Sequence, residues 1–306
     1  MKYLIDYKCA KNNAYDLLLN KLPTDVRTSL NSFIKSKSIL ILNEIRIKKD
    51  SFINLIADSK NLNTDIFISE AKIEEIFSSL CNDSIYSHFN TIIDGYINVG
   101  NGIRAGICGK AIIENNSLIA IDNISSINIR IPNNIENSSK YLFNLLKNTD
   151  FTKSILIYSA PGVGKTTILR DLIYKLEDYE KIIRYAVIDT KEEITSGIDR
   201  TISGDVFLAY PKGTAIELAT KSMTPQYILC DEIASYDEAE SILRAVNSGV
   251  GLIATTHAKD INDLFSKEII KPLIANNIFD YALGVFRDYG KRQFKFELTE
   301  LRKWNL

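Results

Sequence analysis

The run Ser159-Ala160-Pro161-Gly162-Val163-Gly164-Lys165-Thr166, with Thr167 behind it, lies between an apolar β-branched stretch and a helical pattern. Strand, glycine-bearing turn and helix in that order specify a phosphate-binding loop. The glycines let backbone amides turn toward phosphate oxygens, and the helix N-terminus adds its positive dipole. Lys165 is then expected at the β and γ phosphates of ATP, and Thr166 on Mg2+. Ser159 stands where the pattern has its first glycine, at a strand end that accommodates a small side chain.

A second apolar run, Tyr227-Ile228-Leu229-Cys230, ends in Asp231 and Glu232. Paired with the loop upstream, Asp231 is expected to hold Mg2+ through water. Glu232 is expected to polarise the attacking water, which favours hydrolysis over phosphoryl transfer to a metabolite. Between Lys165 and Asp231 there is room for an intervening strand, the spacing of P-loop folds in which a strand separates the two motif strands. His257 closes the apolar run 251–256, so it should emerge at the carboxyl edge of the sheet, placed to sense the γ-phosphate. Asp189, Glu192 and Glu193 also follow a strand pattern, and read either as a solvated acidic turn or as an approach to the metal. His88 lacks such context and is assigned no role.

Candidate strands at 154–158, 182–189, 227–231 and 251–256 alternate with helical segments at 166–176, 215–223 and 238–248, the last followed by Gly249 as a C-terminal cap. This predicts an α/β, RecA-like P-loop NTPase core with a parallel, doubly wound sheet. A chain of 306 residues exceeds one ordinary core. Upstream, strand patterns at 40–47 and 65–69 and a helical one at 71–80 precede short β-prone runs over 96–131. Gly100, Gly102, Gly106, Gly109 and the Asn115-Asn116 pair punctuate those runs, as turns between antiparallel strands would. Pro132, Asn133 and Asn134 break the pattern. The expected division is a smaller mixed α/β N-terminal domain over 1–140 and the ATPase domain over 141–306.

With 37 basic and 38 acidic side chains the net charge is -1, and no footprint of a dedicated nucleic-acid binder is visible. The small cluster Arg46, Lys48 and Lys49 keeps a RecA-like nucleic-acid motor or recombination factor as the alternative reading. No LSGGQ-like signature precedes Asp231, which argues against a transporter subunit. Cysteines at 9, 81, 108 and 230 form no CxxC pair, excluding the common zinc and disulfide patterns and fitting a reducing cytosol. No apolar run approaches the roughly 20 residues of a membrane helix, so the expectation is a cytoplasmic protein.

Four segments carry a resemblance: APGVGKTTILR at 160–170, CDEI at 230–233, AVNSGV at 245–250 and ATTHA at 254–258. They resemble the stage III sporulation protein AA family. The resemblance extends upstream through Glu44-Ile45-Arg46, Gly95-Tyr96, Gly102-Ile103-Arg104-Ala105-Gly106 and ISSINIRI at 124–131, covers most of the chain, and is most discriminating in these upstream motifs. The family is similar to the ATPases of type II and type IV secretion systems and of type IV pili, hexameric rings with an N-terminal domain over a RecA-like domain. The resemblance therefore implies a homo-oligomeric, hexameric ring motor using ATP and Mg2+. It implies action in the mother cell of an endospore former, on a channel complex between mother cell and forespore. It also implies peripheral attachment through a polytopic membrane partner like stage III sporulation protein AB, with no direct nucleic acid. Arg104 and Arg130 match the arginines that such ATPases bring onto nucleotide phosphates. Thr190-Lys191-Glu192-Glu193 stands where the family has an aspartate-glutamate-arginine sequence, which leaves open whether Glu192 or Glu193 is the family's carboxylate.

Overall fold

The computed structural model describes all residues except 1, 7, 10–12, 40, 59, 83–88, 115–116, 199, 246–248, 289–292 and 303–306. His88, the Asn115-Asn116 turn and half of the segment 245–250 thus lie outside the described residues. The chain divides into two units, residues 9–134 and residues 1–8 with 135–306.

Two short strands, β1 (Lys2–Asp6) and β2 (Lys8–Cys9), precede helices α1 (Asn13–Asn20) and α2 (Thr24–Ser36). Strands β3 (Leu42–Lys48), β4 (Ser51–Ala57) and β5 (Lys60–Ile68) follow, then helices α3 (Glu70–Leu80) and α4 (Phe89–Ile93), then β6 (Tyr96–Gly100), β7 (Ile103–Glu114) and β8 (Ser117–Arg130). In the unit 9–134 they make an antiparallel sheet in the order β5-β4-β3-β8-β7-β6. Alternation sets its two faces: Ile45, Ile47, Ile53, Leu55, Ile127 and Ile129 are buried on one, in a core shared with Ile73, Ile76, Phe77 and Leu80 of α3. The other face carries Glu44, Arg46, Arg104, Asn128 and Arg130, placed there by the period of two. Ser69 caps α3, its hydroxyl accepting from the Lys72 amide at 3.3 Å.

The larger unit adds β9 (Ile135–Glu136), α5 (Lys140–Asn148), β10 (Ile155–Ser159), α6 (Lys165–Glu177), β11 (Tyr185–Asp189), β12 (Asp205–Leu208), α7 (Lys212–Leu218), β13 (Tyr227–Glu232) and α8 (Tyr236–Ala245). The chain continues through β14 (Gly251–His257), α9 (Ile261–Ser266), α10 (Lys271–Ala275), β15 (Tyr281–Asp288) and β16 (Gln293–Glu300). Its sheet runs β1-β16-β15-β10-β14-β13-β11-β12, with β15 through β12 parallel and the β16 and β1 edge antiparallel. β10, β11 and most of β13 and β14 are buried along their length, as strands covered on both faces require. No helix among the described residues is long and apolar enough to cross a membrane.

One feature differs from the sequence expectation and one bears it out. β1 belongs to the larger sheet, where it pairs with β16 while the Tyr3 ring packs, tilted by 33°, against Tyr141 with ring centroids 4.4 Å apart. Residues 1–8 and 135–140 therefore lie with the larger unit rather than with the first domain expected over 1–140. The strand expected between the two motif strands is present. β11 sits beyond β13, and β14, from downstream, fills the gap.

Candidate nucleotide site

β10 ends at Ser159, which is fully buried and donates its hydroxyl to the Ala160 carbonyl at 2.9 Å. The residue standing in for the expected glycine is thus turned inward, while Ala160, Pro161 and Gly162 are exposed. Gly162 (φ 75°) and Gly164 (φ 121°) hold left-handed backbone that other residues adopt only with strain. Nothing crowds a Cβ at Gly162, and one at Gly164 would make only ordinary contact with Phe294 and Thr167, so backbone conformation is what demands glycine at both. Gly164 is the N-cap of α6 and supplies no side chain to its first-turn amides, which suits an anion at that end of a 13-residue helix.

The pairing of β10 with β14 puts Ser159 opposite His257. This register brings three predicted residues together. Lys165 Nζ lies 2.7 Å from His257 Nδ1, and His257 Nε2 lies 3.2 Å from a Glu232 carboxylate oxygen. An ammonium can only donate, so Nδ1 accepts and Nε2–H faces Glu232, the neutral tautomer. Burial pushes the Lys165 ammonium down to about 8, against the Glu232 and Glu193 charges that raise it. Thr256 donates to the Ile233 carbonyl at 3.3 Å and the Ile233 amide donates to the Thr255 carbonyl at 2.8 Å, fastening the end of β14 to the chain leaving β13.

The two acids at the end of β13 face different partners. The register with β14 slips between Cys230 and Glu232, a bulge of the kind that re-aims side chains beside functional sites. Glu232 meets His257, whereas Asp231 accepts from the Thr190 amide at 2.9 Å and pairs with Lys212 at 2.9 Å. Lys212, almost fully buried at the start of α7, also pairs with Glu238 at 2.6 Å and donates to the Glu232 backbone carbonyl. Burial alone would depress this ammonium, but its acidic neighbours outweigh it and its pKa lies above the ordinary lysine value. Gly213 makes this placement possible, since a Cβ there would lie 2.1 Å from the Ser241 Cβ of α8. Sequence reading missed Lys212: a lysine after a proline carries no signal of burial.

Of the two readings open for Asp189, the contacts favour the turn. The residue is fully buried and accepts from the amides of Glu193, Ile194 and Thr195 and from the Thr195 hydroxyl, all within 3.0 Å. Its carboxylate is committed to building the turn after β11. Of the two glutamates on that turn, Glu193 is the one whose charge acts on Lys165. Thr166 and Thr167 are half-buried in the first turn of α6.

Arg104 and Arg130 belong to the other unit, where β7 and β8 place them directly opposite one another. Arg104 lies over the Tyr96 ring, 4.3 Å from its centroid. In the basic cluster of that unit, Arg46 pairs with Glu44 at 3.0 Å and Lys49 pairs with Glu70, so part of its charge is neutralised locally.

Residues 14–292 match the family described as Sporulation stage III, protein AA. Stage III sporulation protein AA of Bacillus subtilis (strain 168) is 29% identical over 282 residues, covering 88% of this chain and 90% of that protein. Among solved structures, the Legionella pneumophila ATPase DotB superposes with a TM-score of 0.60 at 17% identity, covering 92% of this chain and 81% of DotB. The pilus retraction motor PilT, solved with bound ADP, superposes at 0.57 with 14% identity, covering 89% of this chain and 82% of PilT. At these identities the likeness is one of fold, the RecA-like P-loop fold expected from the sequence.

Proposed function

The chain belongs to the Sporulation stage III, protein AA family, and from that premise we propose that it is a Mg2+-dependent ATPase that works as a ring motor on a membrane assembly. The observation that carries the reading is the bridge from Lys165 through His257 to Glu232, which joins the loop lysine to the acid ending β13 within one site. Each group has a distinct task. The amides of 160–166 and the α6 N-terminus receive phosphate oxygens. Lys165 neutralises the β and γ phosphates. Those oxygens compete with His257 Nδ1 for the ammonium, so the imidazole registers whether a γ-phosphate is there. Glu232 polarises the attacking water.

Magnesium, when bound, draws charge from the phosphate oxygens. Among the described residues no group of three or more His, Cys, Asp or Glu is arranged to hold a metal alone. The Thr166 hydroxyl and Asp231 are a donor set that suits Mg2+, which takes one or two protein oxygens and fills its shell with phosphate and water. Arg104 and Arg130 are proposed as the arginines that stabilise charge developing on the phosphates. A homo-hexameric ring in the mother cell, acting on a channel complex between mother cell and forespore through a polytopic membrane partner of the stage III sporulation protein AB kind, is the arrangement the family resemblance supports.

The test is ATP hydrolysis by the purified protein with Mg2+ or with EDTA, across protein concentration, beside mass by light scattering. Specific activity is expected to need Mg2+ and to rise as the oligomer forms. Hydrolysis that appears only with single-stranded DNA, and weakens steeply with salt, would favour the nucleic-acid motor instead. A second expectation concerns protons. Phosphates should hold Lys165 charged, whereas its free pKa is about 8, so ADP binding at pH 8 should take up about half a proton, falling to about a tenth at pH 7. Calorimetry in buffers of different ionisation enthalpy reads this directly. Heats independent of buffer at pH 8 would mean that Lys165 is fully charged before binding.

A further inference from the structure

Asp231 has both carboxylate oxygens engaged: one receives the Thr190 amide at 2.9 Å, the other receives Lys212 at 2.9 Å and the Thr190 hydroxyl at 3.4 Å. Lys212 is held from three sides, with Glu238 at 2.6 Å and the Glu232 carbonyl as its other partners. The pair is deep, with side chains 2% and 9% exposed for Lys212 and Asp231. A unit positive charge so placed, in so little water, acts strongly on any second cation brought to the same carboxylate. We propose that Lys212 competes with Mg2+ for Asp231, so that this lysine, with Glu238 as its alternative partner, sets the Mg2+ concentration the site requires. The inference rests on the assignment of Asp231 to the magnesium of a bound nucleotide.

Glu238 gives the competition somewhere to go. Its Oε1 takes Lys212, while its Oε2 accepts from the amides of Ala234 and Ser235 at 2.7 and 3.1 Å, which fixes it at the start of α8. Were Asp231 to turn to Mg2+, the ammonium could remain on Glu238 and the Glu232 carbonyl without becoming an unpaired buried charge. Lys212 is thus a positioning residue that acts through Asp231.

The experiment is a Mg2+ titration of binding of a fluorescent ADP analogue to the full chain, read without turnover. Lys212→Met removes the competitor and should lower the half-saturating Mg2+ concentration about tenfold or more. Glu238→Gln keeps an acceptor for the two amides but leaves Lys212 with Asp231 as its only carboxylate, and should raise that concentration. This second variant retains the native lysine and decides the matter if the first fails to fold. A Mg2+ requirement unchanged or raised in Lys212→Met, or unchanged or lowered in Glu238→Gln, with analogue binding at saturating Mg2+ intact, overturns the competition and leaves the nucleotide assignment standing. Loss of all analogue binding by the wild type would overturn that assignment, and the competition with it.

Discussion

Glu232→Gln is expected to keep nucleotide binding while lowering turnover by about 10^2 to 10^4-fold, the span associated with removing a general base. The substitution is nearly isosteric, and a glutamine oxygen can still accept from His257 Nε2, now 3.2 Å from the carboxylate. The orientation of the imidazole should therefore survive, and with it the contact to Lys165. What is lost is the negative charge that draws a proton from water. The same charge raises the pKa of Lys165, so its removal should push that lysine below about 8. Binding in the variant is accordingly best compared well below pH 8, where both lysines are charged. Single-turnover phosphate release, set against fluorescent ADP binding, separates the two effects. Turnover within a few-fold of wild type would move the water-polarising role away from Glu232, with Glu193 the next carboxylate to test.

The features legible from sequence are those written in local pattern. The loop, its two positive-φ glycines, the apolar strands and the acids ending β13 all depend on residues adjacent in the chain, and each appears where the pattern puts it. His257 was placed at a strand end by the same logic. Its contact with Lys165, however, comes from the register of β10 with β14, which no local pattern encodes. Lys212 escaped for a related reason: its significance lies in Asp231 and Glu238, brought over it by β13 and by the close approach of α7 to α8 at Gly213. Asp189 shows why two readings stayed open. An aspartate after a parallel strand looks the same in sequence whether it serves a metal or caps a turn, and here three amides and a hydroxyl claim it. β1 was invisible because its partner, β16, lies at the other end of the chain.

Arg104→Ala and Arg130→Ala carry the largest expected effect of all, a loss of turnover of about 10^3 to 10^5-fold each with ADP affinity little changed, as for arginines that act on transition-state charge. Geometry within their own unit sharpens this expectation. The two side chains leave the same sheet face from paired positions on β7 and β8, an apposition of like charges that disfavours the sheet locally. The Tyr96 ring beneath Arg104 accommodates one member of the pair, while Glu44, opposite Arg130 in register, is paired with Arg46. A shared phosphate would engage both guanidinium groups at once, so the two should behave as a unit. The double variant is then expected to be scarcely slower than either single one, far short of the product of the two losses. Lysine at either position keeps the charge but not the planar fork, and should recover only a small part of the rate. Steady-state hydrolysis of the five variants, with fluorescent ADP binding as the control, tests the assignment. Near-normal turnover in both alanine variants would return these arginines to the role of an ordinary polar sheet face, and multiplicative losses would mean that they meet different groups.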